Sequence, residues 1–425
     1  MMPDNNSKIK ELEGDKVVLI DSNALIHRSF HAVPQLKTHN GILTNAVYGF
    51  ASTVLRVLED LKPRYIVATF DVSKDTFRRK LYKEYKAQRV AAPQELYDQI
   101  PMVKEICNIL NIPIFAVDGY EADDVIGTIV HKLKTTRLDL QKARLENLKL
   151  INNCVILNDS EESRDPSQAQ NDNQPKKPAS PEASQGGLQA NPPAAGIKSY
   201  IVTGDKDTYQ LVDENTFVYS IIKGLKNVEI IDPEYVQEKY GFGPELIIDY
   251  KALRGDPSDN IPGVPGIGEV TAKKLIVEYG TIENLYSQLE TQSSELKAIT
   301  QNSKIDHHES LVCHPDSPVC HPEQQRRISL GIDSSLANEA GQNDTSYKLS
   351  DKIKNLLLDN KDQAVLSKIL STIKLDVPLD FDLGCCLVHD YDKEKALKLF
   401  NKLEFKSLIS RLPEQKNKHT QNSLF

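Results

Sequence analysis

At 425 residues the chain has room for two or three domains of ordinary size. Its net charge of −8 argues against a uniformly basic nucleic-acid surface, although a nest of acids biases such a sum and can hide a local basic patch. No stretch approaches the ~18 consecutive apolar residues of a membrane span, the opening MMPDNNSKIKELEGD lacks the apolar core of a signal peptide, and six cysteines form no regular framework, so the expectation is a cytoplasmic protein with reduced thiols and no membrane partner.

From Lys16 to Ile129, short β-rich runs alternate with helical stretches. KVVLID reads as a strand ending on Asp21, and NAVYGFASTVLRVLEDL as an apolar-periodic helix. RYIVATFD is a second strand, ending on Asp71, and QELYDQIPMVKEICNIL a second helix. IPIFAV is a third strand, and EADDVIGTIVHKLK a third helix that opens on Glu121, Asp123 and Asp124. The alternation predicts an α/β fold with a central, mostly parallel sheet flanked by helices. Ligand sites in such sheets lie beyond the carboxyl ends of the strands.

Between the second strand and the second helix lies KDTFRRKLYKEYKAQR, residues 74–89. It carries seven basic residues (Lys74, Arg78, Arg79, Lys80, Lys83, Lys86, Arg89) against two acids, with Phe77, Tyr82 and Tyr85 interleaved. Basic side chains bind phosphates and aromatic faces stack unpaired bases. A solvated helix face is the plain alternative, but a position directly after Asp71 favours single-stranded nucleic acid passing an acidic site.

Residues 159–196 have Leu188 as their single bulky apolar side chain and are dense in Pro, Ser, Gln and Asn, so 137–196 reads as a low-complexity insertion. The strand SYIVTGD follows, with Asp205 and Asp207 pointing the same way if the strand continues. Next comes LRGDPSDNIPGVPGIGEVTAKKL, which holds Asp256, Asp259 and a tight turn at Gly263, Gly266 and Gly268 opening onto a helix with Lys273. Such a turn can present backbone N–H groups to a phosphate; a simple turn between helices is the alternative. A second odd stretch, 299–345, contains the near-repeat CHPDSPVCHPEQ. Its Cys313, His314, Cys320 and His321 could offer zinc ligands, but their gaps match no common finger spacing. Helical periodicity returns in SDKIKNLLLDNKDQAVLSKILSTI and EKALKLFNKLEFKSLISRL.

Nine carboxylates therefore sit where an apolar strand ends or a helix begins: Asp21, Asp71, Glu121, Asp123, Asp124, Asp205, Asp207, Asp256 and Asp259. Any one of them could be a turn or an N-cap. Gathered at one rim they would raise one another's pKa, and hard divalent ions with oxygen ligands are the remedy. The pattern points to a magnesium-dependent phosphoryl-transfer enzyme.

YEADDVIGT, IVTGDKD, LRGDPSDNIPGVPGIGEVTAKKL and the EYKAQR segment resemble the 5′-nuclease domain of bacterial DNA polymerase I and, more distantly, flap endonucleases. The resemblance runs from about residue 16 to 412, outside the two insertions. It implies a PIN-like 5′-nuclease core at 16–136 and 197–232 with a helical arch at about 74–92, and a helix–hairpin–helix subdomain at 233–298. A C-terminal helical segment at 346–412 resembles the region joining nuclease and proofreading domains in polymerase I. By position, Asp21, Asp71, Glu121 and Asp123 match the ligands of one metal ion; Asp205, Asp207 and Asp259 match those of a second, with Asp123 bridging. Asp124 and Asp256 match further acids of the bacterial members, held less firmly as ligands. Arg28, Arg78, Tyr85, Lys86 and Arg89 match residues that grip the scissile phosphate and threaded strand; Lys83, Gly263, Gly266, Gly268 and Lys273 are expected at the DNA. Val270 stands where the family's GIGEKTA has lysine, which puts one phosphate contact in doubt.

The resemblance implies a monomeric, structure-specific 5′-3′ exonuclease and flap endonuclease with two Mg²⁺ ions (Mn²⁺ substituting) and a K⁺ ion at the glycine turn. Its substrate would be DNA with a free 5′ end, RNA-containing flaps included, in primer removal and repair. The chain ends at Phe425, so no polymerase activity is expected of it, and a separate polymerase is an expected partner. A nuclease part of a split polymerase I, a catalytically silent DNA-junction binder and a ribonuclease acting on RNA primers are the alternatives.

Overall fold

The valine- and isoleucine-rich runs form the middle of one sheet in this computed structural model, which describes residues 14–137, 196–222, 227–302, 349–388 and 391–413. Nearly all of 137–196, most of 299–345 and the Cys313, His314, Cys320 and His321 group lie outside the described residues. The chain divides into two compact units, one of residues 1–247, 258–260 and 371–425, the other of 248–257 and 261–370.

The first unit holds six strands: β1 (Lys16–Asp21), β2 (Tyr65–Thr69), β3 (Ile114–Phe115), β4 (Lys198–Thr203), β5 (Thr216–Ile221) and β6 (Val228–Ile231). Their order across the sheet is β3-β2-β1-β4-β5-β6, all parallel except β6. Val17 to Ile20 and Tyr200 to Val202 are sealed from water, as expected of strands covered on both faces. Leu19 stands level with Val67 on one side and Ile201 on the other. The chain builds outward from β1 to β3, then returns to place β4 on the opposite flank of β1. The gap beyond the ends of β1 and β4 is the topological switch point, where open α/β sheets bind ligands.

The helix Asn45–Leu61 has the bounds its apolar period predicts, and it buries Val47, Phe50, Val54, Val57 and Leu61 in the main core. Four expectations are corrected. The second predicted helix is two, Gln94–Tyr97 and Ile100–Ile109, because Pro101 starts a new helix rather than continuing one. The third strand is two residues long. After β4 the strand does not continue through GDKD: Asp205 caps a 3₁₀ helix, Lys206–Leu211, by accepting the Asp207 N–H at 3.0 Å. The arch segment is helical only over Phe77–Leu81 and then runs in turns through Gln88.

The second unit is helical over its described residues: Ile247–Arg254, Glu269–Tyr279, Ile282–Asn302, Asp351–Asp359 and Lys361–Ser371. Buried Asp249 ties three of them, accepting the Ile282 N–H at 3.0 Å and the Lys368 ammonium at 2.6 Å, which also reaches Glu283 at 2.8 Å. The polymerase-linker-like stretch is shared between the units, its part to Leu370 in the second and its part from Ser371 in the first. Among the described residues no helix is long and apolar enough to cross a membrane.

Candidate active site

Asp21 ends β1 and caps the following helix, Ser22–Ala32, accepting the Ala24 N–H at 3.0 Å. Its other oxygen accepts the Thr203 hydroxyl, at the end of β4, at 2.8 Å. Asp71, two residues beyond β2, accepts the Ala122 N–H and the Asn23 amide, each at 2.7 Å. Ala122 begins the helix over 122–137, so Glu121 and Asp123 stand at its N-terminus, where backbone N–H groups favour negative charge. Asp205 and Asp207 follow β4. The segment Ser258–Asn260 belongs with the first unit, and through it Asp259, 4% exposed, joins the group.

Crowding has an electrostatic consequence. Burial pushes the Asp21 carboxyl above its ordinary value, against the opposing help of Ala24 and Thr203. Asp71 lies at the open mouth, but desolvation of its polar end and the neighbouring Asp21 carboxylate push it up to about 6. Asp123 is held well above the usual range, first by burial and then by Asp124 and Glu121, with Arg78 opposing. These are acids in want of a cation.

The protein supplies cations from the 74–89 run. Lys86 Nζ lies 2.9 and 3.0 Å from the two Glu121 oxygens and 3.5 Å from Asp259. Arg89 pairs with Asp259, and the Tyr85 hydroxyl lies within donating distance of Glu121 at 3.0 Å and of Asp259 at 3.2 Å, its one proton serving either carboxylate. Burial alone would lower the Lys86 pKa, but Glu121, Tyr85 and Asp259 together hold it well above the ordinary lysine value. Lys86 itself has φ +54 and donates its backbone N–H to Asp259 O at 2.9 Å, so its position is set by the backbone as well as by charge. Arg28 comes to the same rim: a Cβ placed on Gly204 would lie 3.2 Å from its Nη1, and its buried Nε has no hydrogen-bond partner.

Four sequence expectations are corrected here. Arg78 does not reach out for phosphate: it is 1% exposed and donates to both Asp124 oxygens at 2.7 Å, to Glu121 at 3.3 Å and to Thr372 O at 2.8 Å. Asp124 is correspondingly spent, since its oxygens also accept the Glu121 and Lys374 N–H groups at 3.1 and 2.8 Å. Tyr85 is buried and offers no face for a base to stack on. Gly263 gives its N–H to Ser367 Oγ at 3.0 Å, so that group is not presented to a phosphate.

In the second unit, Gly268 caps the helix Glu269–Tyr279 without a side-chain cap, and Lys273 pairs with Glu269 at 3.0 Å. Gly266 has φ +85, as the tight turn requires. Asp256 is bonded to Lys251 at 2.8 Å within that unit, and Val270 is exposed. Lys74, Arg79 and Lys83 stay on the surface.

The sequence reading missed Asn23 and Thr203, each two positions from an acid it identified. Polar residues two positions from strand-end acids were the available signal. Lys374 carried no such signal, being 250 residues from Asp124.

The donor set is carboxylate oxygen throughout, the chemistry of a hard divalent ion, and the raised Asp21, Asp71 and Asp123 fit a bound cation. Among the described residues no three potential ligands converge as they stand into a cage for one ion. Lys86 and Arg89 lie among the oxygens instead.

Residues 16–145 match the family model of the 5′-3′ exonuclease N-terminal resolvase-like domain, and residues 242–314 that of the 5′-3′ exonuclease C-terminal SAM fold. The chain is 33% identical over 399 residues to DNA polymerase I of Caldicellulosiruptor bescii, covering 93% of this chain and 33% of that protein. It is 31% identical over 402 residues to DNA polymerase I of Bacillus subtilis, covering 95% and 33%. Thus the chain spans about a third of the length of the curated relatives it matches. Among solved structures, a T5 5′-exonuclease with bound zinc ions aligns with a TM-score of 0.48 at 16% identity, covering 84% of this chain and 89% of that one. The catalytic core of Rad2 with a DNA substrate aligns with 0.48 at 14% identity, covering 95% and 94%. With both halves of the nuclease matched in order along a sheet whose strand ends carry the acids, the chain belongs to the 5′-3′ exonuclease family found in bacterial DNA polymerase I.

Proposed function

We propose that this chain hydrolyses DNA phosphodiesters as a structure-specific 5′-3′ exonuclease and 5′-flap endonuclease, leaving a 5′-phosphate on its product. The observation that carries the reading is the insertion of Lys86 and Arg89 among Glu121 and Asp259, beside the acids that end β1, β2 and β4. A phosphate arriving there meets two cations already directed inward.

Asp21, Asp71, Glu121 and Asp123 would hold one Mg²⁺, and Asp205, Asp207 and Asp259 a second, with Asp123 between them and Mn²⁺ able to substitute. Bound there, the metal supplies Lewis acidity toward the attacking water and the leaving oxygen. Lys86 and Arg89 turn from their carboxylates to the phosphoryl oxygens and neutralise charge that grows there. Arg28, with its partnerless Nε, stands ready for the same phosphate. Arg78 and Asp124 act behind them, fixing Glu121 from its buried side. Exposed Lys74, Arg79 and Lys83 attract the 5′ strand, and the turn at Gly266 and Gly268 with Lys273 receives duplex, aided by K⁺. Asp256 fits a support for the second unit's turn through Lys251 better than a metal ligand.

The substrate is a DNA junction with a free 5′ end, RNA-containing flaps included, in primer removal and repair. A monomer acting in the cytoplasm beside a polymerase fits that role. A second reading, the nuclease part of a longer polymerase I, is favoured by matches that cover 93–95% of this chain but a third of each relative. Asp123→Asn assayed on a labelled 5′ flap with Mg²⁺ tests the mechanism. Cleavage should fall by about 10²-fold or more; unchanged cleavage would overturn it.

A further inference from the structure

Two threonines flank the end of β1, both fully buried and both closing a neighbouring strand. Thr69, at the end of β2, donates its hydroxyl to the backbone carbonyl of Ile20 at 3.0 Å. Thr203, at the end of β4, does something different. Its Oγ1 accepts the Asp205 N–H at 3.0 Å and donates to Asp21 Oδ2 at 2.8 Å. A hydroxyl has one proton. Because the Asp205 amide can only donate, that proton is committed to Asp21. A single buried hydroxyl thereby joins an acid of the β1 end to the backbone that carries an acid of the β4 end, across the switch point of the sheet.

We propose that Thr203 is a positioning residue that sets the Asp21 carboxylate and the Asp205 backbone in register before a divalent ion binds. The inference rests on the metal-dependent reading above and adds a residue to it. Both sides of the link require a hydroxyl at that position. Valine keeps the branched shape but has no donor for Asp21 and no acceptor for Asp205. Serine keeps both.

The test is Mn²⁺ binding to the metal-stripped full chain by isothermal titration calorimetry, with thermal melting measured in parallel. Thr203→Val should weaken Mn²⁺ binding about 10-fold, the usual effect of losing a hydrogen bond behind a metal ligand. Thr203→Ser should restore the wild-type affinity. Thr69→Val removes an equally buried hydroxyl one strand away; it should lower the melting temperature but leave Mn²⁺ affinity unchanged. Wild-type Mn²⁺ affinity in Thr203→Val, or an equal loss in Thr69→Val, overturns the inference while leaving the metal reading intact. A wild-type chain that binds no Mn²⁺ and cleaves no flap overturns both.

Discussion

Arg78 and Asp124 face each other as a two-pronged ion pair, both Nη–Oδ separations 2.7 Å and both side chains shut away from water. The pair links the start of the arch segment to the start of the helix over 122–137, and Asp124 also accepts the Lys374 N–H from the far end of the chain. Breaking a buried pair from one side leaves an uncompensated charge and costs about 3–5 kcal/mol. Asp124→Ala should therefore destabilise the first unit by that order in urea unfolding followed by circular dichroism. Replacing both partners with apolar residues, Arg78→Met with Asp124→Leu, should recover most of the loss. If Asp124→Ala unfolds at the wild-type urea concentration, the pair is not what holds these segments together.

Asp21, Asp71 and Asp205 were legible in the sequence because each follows a β-rich run, and Glu121 and Asp123 because they open a helix; the sheet order places the three strand ends at one edge. The direction of the basic residues was not. KDTFRRKLYKEYKAQR is rich in helix formers, so a helical arch with an outward basic face is its local preference. Tertiary contacts override it: the Lys86 N–H is drawn to Asp259 O, 173 residues away in sequence, and the chain turns instead. Arg78 reads identically to its exposed neighbour Arg79 until Asp124 is brought against it. Likewise, nothing local distinguishes the N–H of Gly263, taken by Ser367, from those of the other turn glycines.

The Asp71 carboxyl carries a pH signature. Its pKa is raised to about 6 from an ordinary 3.8, by burial first and then by Asp21. In the metal-free protein the folded state therefore holds this proton more tightly than the unfolded chain. The associated stability is fully present below pH 3.8 and is lost as pH rises through 6. Asp71→Asn removes that dependence. The difference in melting temperature between wild type and variant, measured without divalent ions, should shift in favour of the variant between pH 4 and pH 6.5 and level off above. A difference that stays flat across this window would refute the assignment.

Lys86 separates catalysis from folding. It is anchored by Glu121 and Asp259, yet its side chain is only partly buried, so losing it leaves no large cavity. Lys86→Ala should reduce single-turnover flap cleavage by about 10²–10³-fold, the scale of removing one group that stabilises developing charge. The Kd for the same flap, measured with Ca²⁺ in place of Mg²⁺, should change little. A parallel loss of Kd and rate would assign Lys86 to substrate capture instead.

The two ends of the glycine turn should respond oppositely to the same methyl group. Gly263 has φ +62, and a Cβ there would overlap the backbone of Arg254 and Gly255. Neither the conformation nor the space admits a side chain, so Gly263→Ala should cost at least about 1–3 kcal/mol and loosen the second unit, seen as faster amide exchange in the helices Ile247–Arg254 and Glu269–Tyr279. Gly268 is ordinary in conformation, with φ −87, and nothing lies within 4 Å of its prospective Cβ. The fold gives no reason for glycine there, so Gly268→Ala should leave amide exchange as in wild type. If that helix terminus receives a phosphate of the duplex, the added methyl blocks the close approach, and affinity for a flap junction should fall while affinity for the single strand alone does not. A flap-junction affinity unchanged from wild type would remove the turn from the DNA-binding surface and leave it a device for joining two helices.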